Sequence, residues 1–221
     1  VTESGGFAEF SRVKASALHR IGDMDFSIAA LCEPMGCVLN GLDAVRSSTT
    51  DNALIFGAGP MGLLLAMALS AHNVPDIVFT DIDDARLELA ASFGFEIVAS
   101  GSSELATLNH GFDLVVDATG VPAVAGNLAN YMANGARGLF FGVCPSDARI
   151  EFSPFEVFRR QLTFAGSHSL NHNIPQALET IAAFGPDISR VVSHRMTLED
   201  VSNIMLSSPP KGSLKIQTTI S

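Results

Sequence analysis

The stretch GAGPMG at residues 57–62 is the feature that most constrains how this chain folds. It follows the hydrophobic run ALIF and precedes the apolar run LLLAMAL, so it predicts a tight turn from a buried strand into a helix. In a G-x-G-x-x-G turn, Gly57 permits the sharp bend, Gly59 lets the backbone approach a pyrophosphate, and Gly62 lets the helix pack on the strand. The alternative is a bend of small residues that binds nothing.

An acidic residue further along favours the phosphate-binding interpretation. Asp81 ends the next β-rich run, nineteen residues after Gly62, where its carboxylate can accept hydrogen bonds from both ribose hydroxyls of adenosine. NAD is therefore predicted rather than NADP, because a 2′-phosphate would place negative charge against Asp81. Arg86 is a candidate to stack beside adenine or to pair with a helix acid, and Pro60 and Met61 complete the phosphate turn.

From residue 53 onward, β-rich runs alternate with helical stretches, which is typical of a parallel sheet with crossover helices. The predicted fold class is α/β, a doubly wound, parallel, six-stranded Rossmann sheet. The six predicted strands cover residues 53–56, 76–80, 96–98, 112–119, 137–143 and 162–167. Ligands of such sheets bind at the carboxyl ends of the strands, so Thr119, Val143 and Ser167 are predicted beside the nicotinamide.

The two ends of the chain do not continue this alternation. GGFAEFSRV at residues 5–13 predicts a strand, as do VVSHRMTLED and GSLKIQTTI near the other end. These strands are expected to be antiparallel, with one short helix over residues 198–206. Together they predict a second, β-rich unit to which both ends of the chain contribute.

Charge and composition narrow the class of partner. With 13 Lys and Arg against 23 Asp and Glu, the formal net charge is -10, which disfavours nucleic-acid and anionic-membrane surfaces. No apolar run reaches the roughly 18 residues that a membrane-spanning helix needs, so we predict a small-molecule partner and no membrane. Three cysteines are an odd number for a disulfide framework and favour a reducing, cytoplasmic location.

Five motifs in a fixed order then point to a family. EPMGCVLNGLDAV, ALIFGAGPMGLLLAMAL, DIDDARLELA, FDLVVDATG and KGSLKIQ follow one another along the chain. In this order they are typical of the medium-chain zinc-dependent alcohol and polyol dehydrogenases. The chain resembles that family over nearly all of its length, and within it the sorbitol, xylitol and arabinitol dehydrogenases.

The resemblance implies a NAD-dependent oxidoreductase that transfers hydride between a polyol or secondary alcohol and NAD. It implies that residues 1–33 end a GroES-like catalytic domain, that residues 34–169 form the Rossmann domain, and that residues 170–221 return to the catalytic domain. A zinc ion is expected in the full-length family member, and Glu33 matches the family position that ligates it directly or through water. A homo-oligomer, dimer or tetramer, is also implied.

The family's other zinc motifs are missing from the sequence. Neither the G-H-E motif nor the four-cysteine structural loop is present, and Glu33 alone cannot hold a zinc ion, which needs three protein ligands. The chain is therefore expected to be truncated and inactive alone. The alternative is a non-catalytic dinucleotide-binding module, and His168 and His172 are expected in a polar loop, with the roles of His168 and Ser169 left open.

Overall fold

The computed structural model describes residues 5–46 and 50–220. Six strands form the main sheet: β1 Asn52–Phe56, β2 Asp76–Asp81, β3 Glu96–Ala99, β4 Phe112–Asp117, β5 Met132–Phe140 and β6 Thr163–Gly166. They lie in the order β3-β2-β1-β4-β5-β6, and every pair is parallel. The predicted doubly wound, six-stranded sheet is confirmed, and the strand order reverses direction between β1 and β4.

Helices cover both faces of this sheet. They are α1 Phe26–Ala29, α2 Cys32–Ala44, α3 Pro60–Ala71, α4 Asp84–Ser92, α5 Ser103–Thr107, α6 Pro122–Tyr131, α7 Pro154–Arg160, α8 Ile174–Phe184 and α9 Leu198–Met205. One hydrophobic core joins α2, α3, α4 and α8 to one face, and a second core joins α5 and α6 to the other. Within the described ranges, no helix combines the length and apolarity required to span a bilayer.

Helix α3 is the central support of the glycine turn. Pro60 is its first residue, and its fixed φ suits the start of a helix. Every residue from Gly62 to Leu69 is buried, because α3 contacts β1 on one side and α2 and α8 on others. A helix that is apolar all round is typical of such a fully enclosed position.

Strand β4 ends two residues earlier than the sequence predicted. The carboxylate Oδ1 of Asp117 accepts hydrogen bonds from the backbone N–H groups of Thr119 at 2.8 Å and Gly120 at 3.1 Å. These bonds turn the chain out of the sheet directly after Asp117. Thr119 therefore lies in the loop that follows the strand.

The predicted bounds of β5, residues 137–143, are also wrong at both ends. The strand begins at Met132, because α6 runs into it without a loop. It ends at Phe140, because the N–H groups of Phe141 and Gly142 both donate to the carbonyl oxygen of Asp117, at 3.0 and 2.7 Å. Val143 consequently stands on a loop beyond the strand, where it is exposed.

The prediction of antiparallel strands near the end of the chain is wrong. Strand β7, Val192–Met196, pairs in parallel with β8, Lys215–Thr218. Helix α9 lies in the connection between them and brings the chain back to the same end of the pair, as parallel pairing requires. The predicted short helix is confirmed, and Thr197 caps it in a capping box with Asp200.

The predicted strand at residues 5–13 is also absent from the described part of the chain. The segment is exposed, and an extended segment is not stable as a strand without a neighbour to share its hydrogen bonds. The domain boundaries at residues 33 and 169 stay predictions. Helix α8, which follows the second boundary, packs against α2 and α3.

Candidate functional site

The glycine turn between β1 and α3 has the close approaches that its sequence predicted. Gly57 has a φ of 104°, which side chains rarely tolerate, and its N–H donates to the carbonyl oxygen of Thr80 at 2.8 Å. A Cβ atom on Gly62 would lie 1.9 Å from the carbonyl oxygen of Gly57. Both positions therefore require glycine for the turn to close.

Gly59 faces open space instead. It precedes the first turn of α3, and the nearest atom to a Cβ built on it is Nη1 of Arg86, at 3.8 Å. The first N–H groups of a helix have no partner within the helix, and the helix dipole favours an anion there. Because Pro60 has no N–H, those of Gly59, Met61 and Gly62 are the backbone donors that a phosphate would meet.

Asp81 is tied to the glycine turn through its side chain. Its Oδ2 accepts a hydrogen bond from the N–H of Ala58 at 2.7 Å, and its Oδ1 accepts one from the N–H of Asp83 at 2.9 Å. A carboxylate has about four acceptor positions, so two remain for other donors. Asp81 therefore has a structural role that the sequence did not predict, in addition to its predicted contact with ribose.

Arg86 makes one of the two contacts that were predicted for it, the pairing with an acid. Its Nε is 3.8 Å from Oδ2 of Asp83 on the preceding turn, with 42% of the arginine side chain exposed. Its Nη1 at the same time lies above Gly59. The pairing with a nearby acid is thus present, and the guanidinium also borders the open side of the turn.

The three residues predicted beside the nicotinamide line one cavity of about 340 Å³. Thr119 follows β4, Val143 follows β5 and Ser167 follows β6, so the parallel order of the strands brings them together. The cavity is also lined by Cys37, Met61, Phe141, His168 and Ser169. His168 lies in a loop rather than a helix, and it now has a place in this wall.

A second cavity of about 340 Å³ lies on the other face of the sheet, and the sequence did not predict it. Phe56 at the end of β1 lines it together with the loop after β3 and the start of α6. Ile82 and Val121, which follow β2 and β4, are exposed apolar side chains at this same edge of the sheet. The signal available in the sequence was an aromatic residue directly before Gly57 and an isoleucine directly after Asp81.

Comparison with known proteins assigns this arrangement to a family. Residues 60–183, more than half of the chain, match the family described as zinc-binding dehydrogenase. The chain belongs to the zinc-binding dehydrogenases. It is 45% identical over 222 residues to the D-altritol 5-dehydrogenase of Agrobacterium fabrum (strain C58 / ATCC 33970), covering 98% of this chain and 66% of that protein.

A further sequence relative agrees with the family match, and a solved structure shares the fold. The D-arabinitol dehydrogenase 1 of Uromyces fabae is 30% identical over 98% of this chain and 65% of that protein. An alcohol dehydrogenase of Escherichia coli CFT073, solved with NADH, superposes with a TM-score of 0.84 at 20% identity, over 94% of this chain and 64% of that one. The chain thus spans just under two thirds of the length of these relatives.

The described residues do not by themselves fit the metal site that the family name implies. Glu33 is exposed in the first turn of α2, and its Oε1 accepts a hydrogen bond from Sγ of Cys37 at 3.5 Å. No group of three or more His, Cys, Asp or Glu side chains within residues 5–46 and 50–220 is arranged to hold an ion. Since zinc needs three protein ligands in a catalytic site, the described residues would not complete one, and the role of Glu33 at a zinc ion stays a prediction.

A larger cavity, of about 570 Å³, lies beside Glu33 rather than at the glycine turn. It is lined by residues of α1, the start of α2 and β8, among them Phe26 and Lys215. It shares none of its lining residues with the two cavities beside the six-stranded sheet. In open α/β sheets a dinucleotide binds at the carboxyl edge of the strands. This cavity lies elsewhere, so it is not the candidate dinucleotide site despite its larger volume.

The thiol of Cys37, beside Glu33, lines the same cavity as Thr119 and Ser167, and its pKa is raised. Burial, followed by the negative charge of Glu33 and its hydrogen bond, raises the pKa of Cys37 to about 11. Burial also raises the pKa of Cys32 and of Cys144, the latter with a contribution from Asp117. At neutral pH these groups are therefore neutral thiols, which does not suit them as nucleophiles.

Proposed function

We propose that this chain binds NAD across the carboxyl edge of its six-stranded sheet. The observation that carries the proposal is the glycine turn, which is open above Gly59 and lies between two cavities of similar volume on opposite faces of the sheet. A dinucleotide has two planar bases joined by a pyrophosphate. A helix start that favours a phosphate, with a separate cavity on each side of it, matches this arrangement.

The residues divide between the two halves of the ligand. Gly57, Gly59 and Gly62, with Pro60 and Met61, shape the turn that would face the pyrophosphate. The cavity beside Phe56 suits adenine, with the exposed apolar residues Ile82 and Val121 at its edge, and Asp81 suits the adenosine ribose. The cavity lined by Thr119, Val143 and Ser167 suits the nicotinamide.

The proposal extends to an oxidoreductase acting on polyols or secondary alcohols. The names of the D-altritol and D-arabinitol dehydrogenases support this substrate class, and the NADH in the Escherichia coli structure supports the coenzyme. When bound, NAD would supply the acceptor for the hydride of the carbinol carbon, and with loss of the hydroxyl proton the alcohol would become a ketone and NAD would become NADH. The residues of this chain bind the coenzyme and orient the face that receives the hydride.

A homo-oligomer, dimer or tetramer, and a cytoplasmic location belong to the same proposal. Strand β6 is at one edge of the sheet and has a neighbour on one side within the described strands. Phe155 and Phe158 on the adjacent helix α7 are 62% and 79% exposed. An open strand edge beside exposed aromatic side chains suits a second copy of the chain, and the three free cysteines suit a reducing compartment.

The coenzyme proposal is tested by Asp81→Ser. The variant loses the charged acceptor of the ribose hydroxyls and the bond to the N–H of Ala58, each worth about 1.5–3 kcal/mol. NADH affinity should fall at least about tenfold, and NADPH should gain relative to NADH because the repulsion of its 2′-phosphate is removed. Fluorescence titration with both coenzymes measures this, and unchanged NADH affinity would exclude Asp81 from the site.

The substrate proposal needs an assay of its own. The protein expressed from the intact gene should reduce NAD at 340 nm when D-altritol, D-arabinitol or another polyol is added, and Asp81→Ser should lower that rate. NADH binding without polyol-dependent reduction would instead favour a dinucleotide-binding module that does not catalyse.

A further inference from the structure

Asn40 on α2 holds the loop that forms one wall of the cavity lined by Thr119, Val143 and Ser167, the nicotinamide-side cavity. Its Nδ2 donates to the backbone oxygen of Ser169 at 2.9 Å and to Oγ of Ser167 at 3.4 Å. Cys37, one turn earlier on the same helix, lines the cavity together with Ser167 and Ser169. One short stretch of α2 therefore both forms part of this cavity and holds the opposite part in place.

The same loop is attached to α2 at a second point. The buried side chain of Asn173 donates from Nδ2 to the carbonyl oxygen of Gly36 at 2.8 Å, and its Oδ1 accepts from the N–H of Asn171 at 3.1 Å. A Cβ atom on Gly36 would lie 3.2 Å from Cβ of Leu170. The far end of the loop thus packs directly on the helix backbone, and Asn40 is the attachment at the end nearer the cavity.

The backbone of the loop requires such restraints. Ser169 has a φ of 61° and His172 a φ of 55°, a left-handed conformation that residues other than glycine adopt only when their surroundings impose it. The bond from Asn40 ends on the carbonyl group of Ser169 itself. Without it, Ser169 can return to an ordinary conformation and carry His168 and Ser167 with it.

We propose that Asn40 is a positioning residue for the nicotinamide half of the coenzyme site. By holding residues 167–169 it keeps Ser167 and His168 at the distance from Cys37 and Met61 that admits a flat ring. This inference rests on the proposed binding of NAD. The adenine-side cavity shares no lining residue with the loop or with α2, so the effect of Asn40 is confined to one half of the ligand.

That confinement gives a test with two ligands. NADH occupies both halves of the site, whereas ADP-ribose has the adenine, ribose and pyrophosphate but no nicotinamide. Asn40→Asp keeps the shape of the side chain and replaces the donor by a second acceptor, which repels the carbonyl oxygen of Ser169. We expect the dissociation constant of NADH to rise about tenfold, the effect of one lost hydrogen bond, while that of ADP-ribose stays within about twofold.

Two further variants make the result specific. Asn40→Ala removes the donor without adding charge and should give the same difference between the two ligands, including in the event that the aspartate variant does not fold. Asn203→Asp makes the same chemical change on an exposed residue of α9 that lines neither of the two cavities. It should leave both ligands unaffected.

The outcomes separate the two proposals. Equal weakening of NADH and ADP-ribose by both Asn40 variants would show a general structural role and overturn the positioning role. Unchanged NADH affinity in both variants would overturn it as well. A wild-type chain that binds neither ligand would overturn the binding of NAD itself, and with it the role of Asn40.

Discussion

At the scale of single residues, two glycines of one turn differ in what a side chain would meet. A Cβ atom on Gly62 would overlap the carbonyl oxygen of Gly57, at 1.9 Å, whereas one on Gly59 has no atom nearer than 3.8 Å. The backbone of Gly59 is also ordinary, with a φ of -74°. Gly62 is therefore needed for the fold, whereas the space above Gly59 is consistent with the role in binding pyrophosphate that we propose for it.

The pair Gly59→Ala and Gly62→Ala should separate folding from binding. Gly62→Ala forces the turn to shift, and we expect the free energy of unfolding to fall by about 2 kcal/mol. Gly59→Ala should unfold like the wild type but bind NADH at least about tenfold more weakly, because the methyl group occupies the place of the pyrophosphate. Urea unfolding followed by circular dichroism, with NADH titration in parallel, measures both. Normal NADH binding by Gly59→Ala would show that the turn does not face phosphate.

The thiol of Cys37 gives a prediction with a definite pH dependence. Its pKa is raised to about 11, chiefly by burial and then by Glu33, so the thiol stays protonated at pH 8 and gains reactivity as pH rises towards that value. Alkylation by iodoacetamide, which needs the thiolate, should therefore increase about tenfold per pH unit between pH 8 and 10.

Glu33→Gln should speed this reaction at pH 8, because it removes the negative charge that opposes the thiolate. Mass spectrometry of the Cys37 peptide measures the rate. The Cys144 peptide is the internal control, since its pKa is raised by burial and Asp117 rather than by Glu33. An equal increase at both cysteines would indicate loosening of the fold instead.

Residue roles could be predicted from the sequence where the chemistry is local. Gly57, Gly59 and Gly62 act within six residues, and their spacing together with the apolar runs on either side predicted the turn. The bond from Asn40 to Ser169 joins residues 129 positions apart, and no periodicity of the sequence encodes it. The carboxylate of Asp81 was assigned to ribose, but its bond to the N–H of Ala58 emerges only when β1 and β2 are adjacent.

At the scale of elements, α3 holds the glycine turn in place, because it packs against β1, α2 and α8. Leu64 is fully buried in the core that α3 shares with α2 and α8. The first turn of α3 carries the backbone N–H groups beside the open side of Gly59. Packing of α3 therefore affects the stability of the fold and also the position of the proposed binding site.

Leu64→Ala should lower the free energy of unfolding by about 3 kcal/mol, through lost burial and the cavity that remains. Leu206→Ala, at a residue that is 87% exposed, is the matched control and should change it by less than about 0.5 kcal/mol. Thermal and urea unfolding of both variants check this. Equal stability of the two would contradict the central position of α3.

The presence of the six strands was predictable because each contains a short apolar or β-rich run, such as ALIF in β1 and LVV in β4. The ends of the strands were less predictable. Strand β4 stops at a local turn, where the side chain of Asp117 accepts from the N–H of Thr119. Strand β5 stops through a tertiary interaction, in which the carbonyl oxygen of Asp117 accepts from the N–H groups of Phe141 and Gly142. The predicted antiparallel pairing of β7 and β8 was wrong because similar sequence runs occur in parallel and in antiparallel pairs. The intervening α9, which decides between them, was itself correctly predicted.

At the scale of the whole molecule, the order of the strands places the glycine turn between two cavities. The sheet reverses its winding between β1 and β4, so helices leave the carboxyl edge on opposite faces and open a crevice there. The net charge of -10 does not favour an anionic ligand, so the NAD binding that we propose requires local attraction from the N–H groups at the start of α3 and from the guanidinium of Arg86.

Calorimetric titration of the 221-residue chain with NADH tests this account most directly. We predict saturation at one NADH per chain, competition by AMP for the adenine half, and binding of NADPH at least about tenfold weaker because of Asp81. The absence of any binding heat and of any change in NADH fluorescence at millimolar coenzyme would contradict the account.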